Sequence, residues 1–200
     1  MPEQILLQGK ILGTEEFLLA GTAEGRSTRS AGEDLMAGRS QWITLLCEVL
    51  PRALLAELGL ARILLGSSGG GQFLLVLPGE ARAAAEKFLE DAARQVAELS
   101  SGNAGLIWGV TDNLGDWAVI RKRLQDELQR KRNAPLGNRQ AEPFRPFWRT
   151  SNPQADQYFA KELGAKVREA AVIGWSPENP AKAIAGEGKH TWHLSSNLSP

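Results

Sequence analysis

A glycine-rich turn between two apolar runs limits the folds open to this chain more than any other segment. Residues 62–79 read RILLGSSGGGQFLLVLPG, with an apolar run on each side of the turn. This pattern is typical of a β-hairpin. The segment between the runs contains Ser67, Ser68, Gly69, Gly70 and Gly71. Glycine adopts positive φ without a Cβ clash and lets a ligand or another backbone approach closely. The turn has no acidic residue, so it offers no carboxylate to a metal ion.

The composition is that of a globular domain with no long-range electrostatic field. The 200 residues are 42% hydrophobic and 23% charged, and 23 basic residues balance 23 acidic ones. The single cysteine, Cys47, excludes an intrachain disulfide and a cysteine-based zinc cluster. The N-terminal segment lacks the pattern of a signal peptide, and no apolar run approaches the roughly 20 residues of a membrane span. We therefore expect a cytoplasmic protein with no membrane partner.

The order of the predicted elements indicates a ferredoxin-like α+β fold, an antiparallel sheet with helices on one face. A strand at 5–12 is followed by a loop at 21–38 and by a helix from Ser40, as its N-cap, to about Leu58. Pro51 should kink or break that helix, and Gly59 should end it. After the hairpin come a helix at 80–99, a strand at 106–110 and a helix at 117–131. The order β-α-β-β-α-β is the one that this fold requires.

The predicted organisation has three parts. Residues 1–132 form the ferredoxin-like domain, and residues 133–157, with four prolines, form a linker or extended arm. Residues 158–200 form a partial second unit with an amphipathic segment, a strand at 171–175 and a weakly patterned polar tail. Within the arm, Phe144 and Trp148 lie among arginines and can either stack on bases or pack against the domain.

Several sequence blocks occur in an order that resembles one family. LLQGKILGTEEFLLA, AGEDLMAGRSQWITLLCEVL, LARILLGSSGGGQFLLVLPG and GLIWGVTDN follow one another from residue 6 to residue 113. Together they resemble the first palm domain of the large, polymerase-like subunit of type III CRISPR effector complexes. The matching positions are Gly9, Gly13 and Phe17 in the first block, Gly38, Arg39 and Ser40 in the second, and Ser68, Gly69, Gly70, Phe73 and Pro78 in the third.

The resemblance implies a role in antiviral defence that depends on partners. In this family ATP with Mg²⁺ lies in a composite site between two palms, and the first palm binds nucleotide without catalysing the reaction. The implied nucleotide contacts are Ser67, Ser68, Gly69, Gly70, Gly71, Gly9, Lys10 and Gly13. The implied partners are other type III effector subunits, the guide RNA with its target RNA, and a second palm. From the residues alone, an ordinary tight hairpin is the favoured interpretation of the turn, and a solvated lysine at a strand end is the favoured interpretation of Lys10.

The chain also departs from the family pattern. Lys10 stands where the family has an aspartate, and Glu15 stands where it has a glutamine. No G-G-D-D motif and no HD pair occur, since the only histidines are His190 and His193. We therefore expect a fragment, a split-gene product or a decayed paralogue that is inactive by itself, with no catalytic and no metal-binding residue. Cyclic oligoadenylate synthesis would require a second palm that carries G-G-D-D.

Other charged motifs have two interpretations each. Residues 121–132 include six basic residues. Arg121, Lys122 and Arg123, with Arg39, could contact RNA or a partner, or form a solvated helix flank. Asp112 and Asp116 could bind a metal ion but are more typical of a turn and a helix cap. Two other function classes therefore stay open. One is a structural subunit or remnant without nucleotide, and the other is a stand-alone nucleotide cyclase, which would need at least two convergent carboxylates.

Overall fold

The protein is described by a computed structural model covering residues 3–20, 29–133, 152–163, 171–182, 184–185 and 187–193. The strands are β1 (Gln4–Leu12), β2 (Leu65–Gly69), β3 (Gln72–Pro78), β4 (Gly105–Asp112), β5 (Val172–Trp175), β6 (Ile184–Ala185) and β7 (His190–His193). The helices are α1 (Thr14–Leu19), α2 (Arg29–Glu57), α3 (Arg82–Leu99), α4 (Trp117–Asn133) and α5 (Pro153–Gln157). Short 3-10 turns cover Arg62–Leu64 and Gly79–Ala81, and a π-helical turn covers Tyr158–Leu163.

The main sheet confirms the predicted α+β fold. Its strand order is β2-β3-β1-β4 with every pair antiparallel, which is the ferredoxin-like arrangement. One face carries Leu7, Leu75 and Val110, which share a buried core with apolar residues of α2 and α3. We call this the inner face. The alternation of side chains along β1 therefore puts Leu6, Gln8 and Lys10 on the opposite, outer face.

Helix α4 covers part of the outer face, which adds a layer to the arrangement expected from the sequence. Ile120 and Leu124 of α4 form a small buried cluster with Leu6 of β1. Gly109 allows the close approach, because a Cβ there would lie 3.0 Å from the Cβ of Glu127. The end of the sheet near the hairpin turn lies outside this cluster, and Lys10 is exposed there.

Helix α2 is longer than the sequence pattern indicated. It begins at Arg29, so residues 29–38 are helical where a loop was expected, and Ser40 lies inside the helix instead of capping it. The helix also continues through Pro51, whose neighbours Leu50 and Leu54 are 1% and 0% exposed. Burial of these leucines offsets the hydrogen bond that proline cannot donate.

The end of α2 confirms the predicted stop at Gly59. This residue has φ of 65°, and its N–H donates to the Ala56 carbonyl at 3.1 Å. The Leu60 N–H donates to the Leu55 carbonyl at 2.8 Å, which completes a Schellman motif. The chain can therefore leave the helix sharply and enter the hairpin.

The C-terminal segments pack against the main core. Residues 153–157, expected to be part of a linker, are helical, and the tail, expected to be weakly patterned, supplies β6 and β7 on either side of β5. Phe159 and Trp175 are 0% and 1% exposed and belong to the same buried cluster as Trp42 of α2. The Trp42 indole N–H donates to the Ala181 carbonyl at 2.8 Å, which ties this segment to α2.

No helix in the described part of the chain combines the length and the apolar character needed to cross a membrane. The arm residues Phe144 and Trp148, for which base stacking was considered, lie outside the described residues.

Candidate functional site

The hairpin turn is built from glycines that other residues could not replace without strain. Gly70 and Gly71 form a two-residue loop between the paired residues Gly69 and Gln72. Their φ angles are 60° and 77°, as a type I′ turn requires, and Gly69 has φ of 134°. The Gly71 carbonyl accepts a hydrogen bond from the Ile11 N–H at 2.7 Å, so the turn is anchored to β1. A Cβ built on Gly69 or Gly70 would meet no atom within 4 Å, which leaves room for a ligand beside the backbone.

A β-bulge in β2 decides which serine points to which face of the sheet. Leu65 pairs with Leu75, whereas Ser67 pairs with Leu74, so the register shifts between these positions. Ser68 then pairs with Phe73, whose ring lies in the core. Ser68 is therefore on the inner face, and Ser67 is exposed on the outer face. Without the bulge the two serines would exchange faces.

The Ser68 hydroxyl is held by a carboxylate on α2. It donates a hydrogen bond to Glu48 Oε1 at 2.9 Å, and Arg52 pairs with Oε2 of the same carboxylate. Burial disfavours ionisation of Glu48, but the hydrogen bonds from Arg52 and Ser68 and the charges of Arg52 and Arg62 outweigh it. The net effect lowers the pKa of the Glu48 carboxyl. Glu48 therefore stays ionised and keeps one hydroxyl of the turn occupied.

Cys47 lies beside Glu48 and touches the other end of the turn. Burial, with the nearby charge of Glu48, raises the pKa of the Cys47 thiol to about 11, while a backbone hydrogen bond from Gly71 partly opposes that rise. The thiol is protonated and buried, in agreement with its apolar surroundings in the sequence.

The outer face beside the turn carries a polar patch, which we define as Gln8, Lys10, Ser67 and Gln72. Lys10 pairs directly with Gln72 across β1 and β3, and the Gln8 side-chain amide donates to Gln72 Oε1 at 3.3 Å. Lys10, Ser67 and Gln72 are exposed. The sequence analysis did not single out Gln8 or Gln72. Each could have been recognised in the sequence as a polar residue on the outward-facing side of an otherwise apolar strand.

Gly9 and Gly13, two predicted nucleotide contacts, have packing roles in the structure. A Cβ on Gly9 would lie 2.2 Å from the Phe73 ring, on the inner face. Gly13 has φ of 70°, and a Cβ there would lie 2.1 Å from the Asn103 carbonyl oxygen. Both glycines allow close contacts within the fold, and neither belongs to the polar patch on the outer face.

The predicted RNA or partner contacts are divided between the interior and the surface. Arg39 is 3% exposed, and its guanidinium pairs with Asp156 Oδ1 at 2.8 Å, so the structure buries a side chain that was expected on a contact surface. Arg121, Lys122 and Arg123 are exposed on α4, as expected of a contact surface or a solvated flank.

The weaker metal candidates do not converge. Within the described ranges, no group of three or more His, Cys, Asp and Glu side chains could hold a metal ion. The Asp116 carbonyl accepts from the Val119 and Ile120 N–H groups, as expected at the start of a helix. His190 Nε2 lies 2.8 Å from Glu57 Oε1, so it joins β7 to the end of α2.

Solved structures provide the only comparisons that match, since neither a protein-family model nor a curated protein does. Csm1 in the Csm1–Csm4 subcomplex of the type III-A CRISPR–Csm interference complex aligns with a TM-score of 0.62 at 17% identity, over 86% of this chain and 23% of the matched chain. This chain has a Csm1-like fold.

Two further structures agree with that assignment. Csm1 in T. onnurineus aligns with a TM-score of 0.53 at 20% identity, over 64% of this chain and 19% of that chain. A Csm1–Csm4 cassette in complex with AMPPNP aligns with a TM-score of 0.54 at 20% identity, over 64% and 18%. The likeness at these identities concerns the fold, and this chain spans less than a quarter of the length of each matched chain.

Proposed function

We propose that this chain is the non-catalytic, ATP-binding first palm of a type III CRISPR large subunit and acts in antiviral defence. The observation that carries the proposal is an acid-free glycine turn beside the polar patch with its exposed Lys10, in a Csm1-like fold. AMPPNP, which accompanies one of the similar structures, is an ATP analogue. Backbone N–H groups at such a turn, together with the Lys10 ammonium, suit the phosphates of a nucleotide.

The proposed site is a composite one. Mg²⁺ prefers carboxylate and phosphate oxygens, and the residues of the outer-face patch offer amides, a hydroxyl and an ammonium group. The ligands of the ion would therefore come from the ATP phosphates and from acidic residues of a second palm. In this proposal the chain binds and orients ATP, and oligoadenylate synthesis needs the second palm.

The similar structures and the exposed basic residues of α4 suggest the partners. The Csm1 chains that this protein resembles are found with Csm4, so we propose that other type III effector subunits are its partners. The exposed basic residues Arg121, Lys122 and Arg123 of α4 are suited to guide or target RNA, or to an acidic partner surface.

Titration with ATP and Mg²⁺ tests the proposal. The titration is run on the chain alone and on a complex that contains a G-G-D-D palm, and tighter binding is expected in the complex. Lys10→Gln should weaken binding about tenfold, because it removes a charge-assisted contact. Lys87→Gln, at an exposed position on α3, is the matched control and should leave binding unchanged. Absence of ATP binding in both states would contradict the proposal.

A structural subunit without nucleotide is the second candidate. Several predicted contacts already have roles inside the fold, since Ser68 is bonded to Glu48 and Gly9 accommodates Phe73. This candidate predicts that Lys10→Gln leaves both ATP binding and the activity of the assembled complex unchanged. The same titration therefore separates the two functions.

A further inference from the structure

The two neighbouring serines of the hairpin have different surroundings. Ser68 is half-buried on the inner face, with its hydroxyl bonded to Glu48 at 2.9 Å. Ser67 is exposed on the outer face, in the same patch as Lys10 and Gln72. The sequence analysis placed both serines among the implied nucleotide contacts, whereas the bulge in β2 separates them by face.

We propose that Glu48 is a positioning residue that clamps Ser68 and thereby assigns ligand contact at the turn to the Ser67 hydroxyl and the Gly69 and Gly70 backbone. This inference rests on the proposed nucleotide-binding function and names the atoms that the phosphates would meet. It also removes Ser68 from the set of direct contacts suggested by the sequence.

Contacts at both ends of the turn support the clamp. Glu48 on α2 holds the Ser68 hydroxyl at one end of the turn. The Gly71 carbonyl is occupied by the Ile11 N–H at 2.7 Å. The Gly71 end of the turn is therefore held inside the fold through its carbonyl. Gly69 and Gly70 between them are exposed, with no atom within 4 Å of the side-chain positions.

Arg52 gives the clamp its orientation. It bonds both the Glu48 carboxylate and the Glu48 backbone carbonyl one helical turn away, and its side chain is 17% exposed. One carboxylate oxygen is thus committed to Arg52, which leaves the other for Ser68. The pKa of the Glu48 carboxyl is lowered in the folded protein, so the contribution of the clamp to stability is complete above the ordinary carboxylate pKa. That contribution is lost as the pH falls through the folded pKa of Glu48.

The test compares Ser67→Ala, Ser68→Ala and Glu48→Gln in the full chain, alone and bound to a second palm. Affinity for ATP with Mg²⁺, thermal midpoint, and amide hydrogen exchange of residues 69–71 are measured for each. We expect Ser67→Ala to weaken ATP binding about fivefold to tenfold with an unchanged midpoint. Ser68→Ala should change affinity by less than about twofold while it speeds exchange at the turn. Glu48→Gln should also speed exchange, and it should remove the loss of protection, relative to the intrinsic exchange rates, that wild type shows when Glu48 is protonated at acidic pH.

The outcomes separate the clamp from the function on which it rests. If Ser68→Ala weakens ATP binding as much as Ser67→Ala and leaves exchange at the turn unchanged, Ser68 is a direct contact and the inference is overturned. Unchanged exchange in Glu48→Gln overturns the clamp alone, even if ATP binds normally. A wild-type chain that binds no ATP in either state overturns the proposed function and the contact assignment, but the exchange data still decide whether Glu48 positions the turn.

Discussion

The role of Arg39 depends on distant parts of the chain. Its guanidinium donates to the carbonyls of Phe17 and Ala20, pairs with Asp156 at 2.8 Å, and lies 5.0 Å from the centre of the Phe17 ring. The carbonyls belong to the end of α1 and the residue after it, and Asp156 belongs to α5. One buried cation therefore connects α1, α2 and α5.

Removing one partner of this pair should be strongly destabilising. Asp156→Ala leaves Arg39 buried without its carboxylate, and we expect a loss of about 3–5 kcal/mol in the free energy of unfolding, measured in urea. The control is Arg82→Ala, which breaks an exposed pair with Glu86 on α3 and should change stability by less than about 1 kcal/mol. Equal effects of the two substitutions would show that burial of the Arg39 pair contributes nothing.

Glu57 should make the attachment of the C-terminal sheet pH-dependent. The hydrogen bond from Lys189, with a further one from His190, outweighs burial and lowers the pKa of the Glu57 carboxyl. Its contribution to stability is therefore complete above the ordinary carboxylate pKa and is lost as the pH falls through the folded value. We expect Glu57→Gln to lower the thermal midpoint at pH 7, and the difference from wild type to shrink toward pH 3. Glu90→Gln, at an exposed position on α3, should show no such convergence.

At the scale of elements, periodicity identified the strands of the main sheet and the three long helices, but it missed α1, β6 and β7. Local signals also misplaced the start of α2. The polar composition of 21–38 favoured a loop and Ser40 favoured a cap, yet α2 begins at Arg29. Buried contacts of Leu35 and Gly38 against the rest of the core outweigh the weak local preference of this segment. Pro51 likewise remains helical because its flanking leucines are buried.

Ser40→Ala distinguishes the observed boundary from the one expected from the sequence. An exposed serine inside a helix has a lower helix propensity than alanine, so the substitution should be neutral or stabilising by up to about 0.5 kcal/mol. If Ser40 capped the helix, the same change would cost about 1 kcal/mol. Chemical denaturation of the two proteins measures the difference, and a clear loss of stability would restore the shorter helix.

At the scale of the whole molecule, the ferredoxin-like sheet and the C-terminal segments share one buried cluster. Phe159 packs edge-to-face against both Phe17 and Trp42 at 5.3 Å between ring centres. A Cβ on Gly38 would lie 1.9 Å from the Phe159 carbonyl oxygen, so α2 and the π-helical turn are in close contact. The C-terminal segments therefore complete the core on one side of α2.

A chain ending at residue 133 should lose cooperative folding. It lacks Phe159, Leu163 and Trp175, each at most 1% exposed, and uncovers Trp42. Fully burying such side chains contributes about 1.5–3 kcal/mol each, comparable in sum to the stability of a whole domain. We expect a broad thermal transition and increased binding of a hydrophobic dye. A sharp transition at the wild-type midpoint would show that residues 1–133 fold independently.

The local sequence determined the hairpin, the order of the elements and the glycine stop of α2, because each depends on near neighbours in the chain. Periodicity identifies a buried face, and positive φ at the turn selects glycine. These features were sufficient to predict the ferredoxin-like sheet and to direct attention to the 67–71 turn. The family resemblance directed attention to Lys10, which the structure leaves exposed beside the turn.

Only the tertiary structure decided how that turn is presented. The bulge that puts Ser67 outside and Ser68 inside depends on pairing with β3, and the commitment of Ser68 to Glu48 depends on how α2 packs under the hairpin. From the sequence, Arg39 could have been a surface cation, whereas in the structure it is buried against Asp156, which lies 117 positions away in the chain. Such contacts join residues far apart in the chain, so no local pattern encodes them. They turn a glycine-rich motif into a surface with one serine available to a ligand and the other bound to the fold.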